Sequence, residues 1–180
     1  MIIPGSTNAG LNNFAGMKTL FLVRHAKSSW STPGMRDFDR PLNERGMNDA
    51  PKMAAFLHKS GLIPDLLVSS PAKRAFTTAR FFATVFRIFE HEIILKPDIY
   101  EAEPVDILRI ISELPETSSA AMIFGHNPTF TEVANRFSDD VIENVPTCGV
   151  ICIKSRADNW NELFEGNSRI AASFFPKEVL

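Results

Sequence analysis

Apolar residues fall into short runs separated by longer segments in which they recur every three or four positions. The run from Lys18 to Val23 (KTLFLV) shows little alternation, as expected of a strand covered on both faces. Similar runs occur at Leu66 to Val68, Ile93 to Leu95, Ala120 to Phe124 and Val150 to Ile153. Helical patterns lie between most of them, and this alternation predicts an α/β fold with a mostly parallel central sheet.

Ser70 and Pro71 read as an N-cap and a first-turn proline, and Ala75, Phe76, Ala79, Phe82 and Ala83 follow at helical spacing. A helix is predicted from Pro71 to Phe86. Asn127 and Pro128 repeat the start signal before Phe130, Val133, Ala134 and Phe137. The segment from Asn43 to Lys59 places Met47, Ala50, Met53, Ala54 and Leu57 on one stripe, but Pro51 lies inside it. A kink there, or a restart capped by Asp49, is expected. After Gly149, GVICIK and WNELFE read as two strands of a hairpin around a polar turn.

With 180 residues, 44% of them hydrophobic, the chain is long enough for one substantial core, so residues 17–180 are expected to form a single domain. Residues 1–16 lack both a basic start and an apolar stretch, and read as a flexible extension ahead of a start at Met17. No run approaches the roughly 18 apolar residues of a membrane span. A net charge of -2 argues against a nucleic-acid partner, so any anion site must be local. Cys148 and Cys152 have neither bridging geometry nor ligand partners at metal spacing, which points to strand packing in a reducing, cytoplasmic setting.

In open α/β sheets ligands sit beyond the carboxyl ends of the strands. Arg24 and His25 leave the first strand, Arg74 lies in the first turn after the second, and His126 follows the strand ending at Phe124. Two arginines supply the fixed positive charge that phosphoryl transfer requires, and an unprotonated imidazole is a competent nucleophile near neutral pH.

FLVRHAKSSW (Phe21 to Trp30), RPLNERG (Arg40 to Gly46), SSPAKRAFTTA (Ser69 to Ala79) and FGHNPTF (Phe124 to Phe130) resemble the histidine phosphatase superfamily of phosphoglycerate-mutase-like fold. With Ala26 after the Arg-His pair and DFDRPL at Asp37 to Leu42, the chain looks most like the SixA-type phosphohistidine phosphatase branch. The resemblance implies a three-layer α/β sandwich and removal of phosphate from phosphohistidine, with no metal or organic cofactor. It implies His25 as the phosphorylated nucleophile, with Arg24, Arg74 and His126 holding the phosphoryl group. Glu101 stands where family members that use a general acid carry a glutamate. Ser28, Arg40 and Asn127 are candidate substrate contacts. Ala26 replaces the family's usual glycine and Ser31 an asparagine typical of sugar-phosphate mutases, and both depart from mutase character.

The expected partner is a phosphorylated protein or a small phosphate-bearing molecule. A phosphatase of small monoesters, in which Glu101 becomes essential, is one alternative; a non-catalytic phosphate-binding module is another. Trp30 and Phe38 are candidates for the pocket rim, and Lys27 and Arg40 for positive potential at its mouth. His58 and His91 read as surface residues without a role.

Overall fold

The computed structural model describes residues 18–31 and 33–180, so the expectations for residues 1–16 and for Met17 lie outside the described residues. Strand β1 (Lys18–Arg24) shows why its run does not alternate. Leu20 and Leu22 enter one apolar cluster while Phe21 and Val23 enter another, each at most 1% exposed. Strands β2 (Leu66–Ser69) and β4 (Ala120–Gly125) repeat the arrangement, Val68 and Ile123 facing one way and Leu67, Met122 and Phe124 the other.

Together with β3 (Ile94–Leu95), β5 (Val150–Ser155) and β6 (Ser168–Phe174) they form one sheet in the order β3-β2-β4-β1-β5-β6. The first four are parallel, and β5 and β6 close the edge antiparallel. Helices α1 (Glu44–Lys59) and α2 (Lys73–Phe86) cover one face, and α3 (Pro104–Ser112) and α4 (Thr129–Asn135) the other. A short α5 (Pro176–Val179) ends the chain against α1. The result is the three-layer, mostly parallel α/β sandwich. Phe82 meets Phe124 edge-on at 5.1 Å, and burial of each such ring contributes about 1.5–3 kcal/mol.

Three local expectations are corrected. Helix α2 begins at Lys73, two residues late, because the Ser70 hydroxyl accepts from the Ala72 amide at 3.2 Å and holds Pro71 in a turn. Helix α1 continues through Pro51 with no restart at Asp49 and is capped by Asn43, whose side chain accepts from Gly46 N at 2.9 Å. Burial of Ala50, Met53, Ala54 and Leu57 outweighs the lost backbone bond, while Met47 stays exposed and Asp49 pairs with Arg45. The strand that returns along β5 is β6, and WNELFE is not part of it. Trp160 is fully buried and its indole N–H donates to Ser118 O at 3.1 Å, which pulls Trp160–Glu162 into a 3-10 turn.

Candidate active site

The site is assembled where β1 and β4 end side by side. The His25 amide donates to Gly125 O at 3.0 Å, extending the parallel register one residue past β1. Gly125 is required there, since a Cβ would lie 2.4 Å from the ring of Phe130 on α4. On the opposite face, buried Thr78 accepts from the Ala26 amide at 3.0 Å and donates to Arg74 O at 2.7 Å. The loop carrying His25 is thereby fixed to the helix carrying Arg74.

Two contacts set the tautomer of His25. Its Nδ1 lies 2.7 Å from Ala26 O, and a carbonyl can only accept, so Nδ1 carries the proton. Arg74 Nε lies 3.2 Å from His25 Nε2, and a guanidinium can only donate, so Nε2 offers its lone pair. Burial pushes this imidazole down from 6.5 to about 4; the Ala26 carbonyl opposes the shift, and the charges of Arg74, Arg24 and Arg40 add to it. At neutral pH the ring is therefore uncharged.

His126 faces it with ring centroids 5.2 Å apart. Its Nε2 lies 2.9 Å from Ser70 Oγ, and burial, followed by His25 and Arg74, lowers its pKa to about 3. If the Ser70 hydroxyl donates, the remaining proton sits on Nδ1. Among the described residues, three buried side-chain polar atoms have no hydrogen-bond partner: Arg24 Nε, His126 Nδ1 and Asn127 Oδ1. All three belong to residues singled out from the sequence. Two of them, an N–H and an imidazole nitrogen, suit the oxygens of a phosphoryl group.

Arg24 Nη1 is held by Val145 O at 2.7 Å and Asn144 Oδ1 at 3.2 Å, and Asn127 Nδ2 reaches the same two acceptors. Arg74 gives both terminal nitrogens to Asp37, one to its carbonyl at 2.6 Å and one to Oδ2 at 2.8 Å. Asp37 also accepts from Arg40 Nη1 at 2.8 Å and from the Tyr100 hydroxyl at 3.1 Å. Although burial raises its pKa, the bonds from Arg40 and Arg74 hold it at about 2.

Arg40 lies beneath the indole of Trp30, 3.2 Å from the ring centroid, and donates to Ser28 Oγ at 2.6 Å and Ser29 O at 2.9 Å. Arg40 and Ser28 thus brace the loop around Asp37, a step away from the imidazoles. Trp30 is 77% exposed, and Phe38 packs edge-on against Tyr100 at 5.1 Å. Glu101 is exposed at φ 58°, a left-handed conformation unusual for a side-chain-bearing residue. It lines a cavity of about 520 Å³ together with Arg74 and His126. His58 and His91 are at the surface, as expected.

Sequence reading missed Asp37, Ser70, Tyr100, Thr78 and Asn144 as parts of the site. Asp37 had a signal, its three-residue spacing from Arg40 in DFDRPL; Ser70 was read as a cap alone. Asn144 had none, because its partner Arg24 is 120 residues away.

Parallel strand ends presenting a neutral imidazole among arginines are the framework of an enzyme that handles phosphoryl groups. Residues 20–136 match the model of the histidine phosphatase superfamily (branch 1), and the chain belongs to that superfamily, as a phosphatase similar to its SixA-type branch. An uncharacterized chloroplastic protein of Arabidopsis thaliana is 33% identical over 155 residues, spanning 82% of this chain and 71% of that protein. A crystal structure of SixA from Agrobacterium tumefaciens, provisionally described as a phosphohistidine phosphatase, is 29% identical with a TM-score of 0.74. It covers 87% of this chain and 97% of that one. Phosphoserine phosphatase 1 of Hydrogenobacter thermophilus is 42% identical over 65 residues, 35% of this chain and 30% of that protein. Among the described residues no helix is long and apolar enough to cross a membrane.

Proposed function

We propose that this phosphatase hydrolyses phosphohistidine on a protein substrate through a phosphoenzyme formed on His25. The observation that carries the reading is the tautomer: Nδ1–H is bound to Ala26 O, and Nε2 faces Arg74 Nε, with the His126 ring centroid 5.2 Å from that of His25. In the first step Nε2 bonds to phosphorus as the bond from phosphorus to the substrate imidazole breaks. That imidazole, protonated on its other nitrogen, leaves neutral and needs no further proton. In the second step a water oxygen bonds to phosphorus, the electron pair of the breaking N–P bond returns to Nε2, and the water proton leaves with the phosphate or to solvent.

Arg24 Nε and His126 Nδ1 would bind the equatorial oxygens, and Arg74 would exchange its contact with Nε2 for one with the phosphoryl group. A reducing compartment suits the reading, since Cys148 and Cys152 are free thiols whose pKa values burial pushes up to about 12.

One observation favours a second reading, hydrolysis of monoesters. Glu101 lines the same cavity as His126, where a carboxylic acid could protonate a leaving alcohol. Phosphate release from a phosphohistidine protein and from a simple monoester, by wild type, His25→Ala and Glu101→Gln, separates the two. The proposal expects preference for phosphohistidine, loss of activity by about 10³-fold or more in His25→Ala, and little effect of Glu101→Gln. Preference for the ester, with loss of turnover in Glu101→Gln, moves the function to the second reading, and near wild-type turnover by His25→Ala sinks both.

A further inference from the structure

The floor and the walls of the active-site cavity carry opposite charge. The floor has Arg74 beside the imidazoles. The walls carry Glu101, Glu103 and Glu132, none of which makes an ion pair among the described residues. A second cavity, of about 470 Å³, adjoins the first through Asn127, Pro128 and Glu132, and adds Glu143. Among the described residues the lining of the two cavities includes no lysine, and Arg74 is its single arginine. Asp37, the fifth carboxylate, is neutralised by Arg40 and Arg74. An acidic groove therefore runs from His126 past Pro128 to Asn144, where it meets the anchor of Arg24.

This placement is costly for a substrate that is anionic throughout. A phosphoryl group beside Arg74 and His126 shares its cavity with Glu101, Glu103 and Glu132, and further carboxylates or phosphates on the same substrate would lie against these and against Glu143. Clefts lined by one sign of charge concentrate partners of the opposite sign and reject those of the same sign. A chain bearing lysine or arginine beside its phosphorylated residue meets both requirements: its phosphoryl group is drawn to the arginine floor and its flanks to the glutamate walls.

We infer that the substrate is a basic protein segment, with the phosphorylated residue flanked by lysine or arginine side chains that occupy the groove lined by Glu101, Glu103, Glu132 and Glu143. This rests on the phosphohistidine reading above and narrows it.

The test compares three substrates: phosphoimidazole, a phosphohistidine peptide with lysine flanks, and the same peptide with glutamate flanks. Wild type should turn over the lysine peptide with kcat/KM about tenfold or more above the glutamate peptide at low salt. The ratio should approach unity as ionic strength rises from about 0.01 M to about 1 M and the Debye length falls from about 30 Å to about 3 Å. Glu103→Lys, Glu132→Lys and Glu143→Lys combined should abolish or invert the preference; the wild-type salt series stands without that variant. Turnover of phosphoimidazole with equal rates on the two peptides overturns the inference and leaves the phosphohistidine reading intact. A preference that survives both high salt and the combined variant also overturns it. Turnover of none of the three overturns both.

Discussion

His25 has one ring nitrogen available for chemistry because the other is bound to the carbonyl of its own neighbour. Its neutrality has a measurable consequence. The folded pKa values of His25 and His126 are lowered from 6.5 to about 4 and about 3, so near pH 5 the unfolded chain binds protons that the folded chain does not. The stability they contribute is complete above 6.5 and is lost as pH falls through that value toward the folded pKa values. Urea unfolding near pH 5 should show uptake of close to two protons from this pair, and His126→Asn should remove about one of them. A pH-independent unfolding free energy between about pH 5 and 6.5 would contradict the assignment of two buried neutral imidazoles.

Arg24, His25, Arg74 and His126 were all legible in the sequence, because each sits at a strand exit or in the turn that follows one. The polar atoms that hold them were not. Asp37, Thr78 and Asn144 act across separations of 37, 52 and 120 residues, which no local pattern encodes.

Among the elements, α2 and the loop after β1 depend on one hydroxyl. Thr78 bridges the Ala26 amide and Arg74 O, so Thr78→Val keeps the shape and leaves a buried N–H unpaired. The expected cost is about 1–3 kcal/mol of stability. Loss of the tie should also lower kcat about tenfold through poorer alignment of His25 with Arg74. Denaturant unfolding and steady-state kinetics on the purified variant read the two effects, and unchanged values in both would remove Thr78 from the positioning role. Strands β1 to β5 were readable from their apolar runs, and the parallel sheet followed from their alternation with helices. The hairpin partner of β5 was misread because a buried tryptophan, an anchor made by tertiary packing, looks locally like a strand residue. In α1 the buried stripe overrode the proline for the same reason: packing energy summed over a helix exceeds one missing backbone bond.

The molecule as a whole separates a chemical end from a structural end. At the far end of the sheet Lys18 is buried, with Nζ 2.8 Å from Ser118 O, 3.0 Å from Glu116 Oε2 and 5.1 Å from the Trp160 ring centroid. Trp160→Ala should cost about 3–5 kcal/mol, seen as a lowered denaturation midpoint, while kcat of the folded fraction stays near wild type. A selective loss of kcat at unchanged stability would show that the two ends are coupled. At the other end, the fold brings Arg74 Nε to the Nε2 lone pair of His25 and the His126 ring to within 5.2 Å of its ring, and the proposed phosphorylation of that nitrogen has a direct test. Wild type mixed with a phosphoramidate donor, quenched in alkali and analysed by mass spectrometry with phosphorus NMR, should carry one acid-labile phosphoryl group on Nε2 of His25, absent from His25→Ala. Phosphate release at the full rate with no adduct on His25, or with the adduct on another residue, would contradict the account.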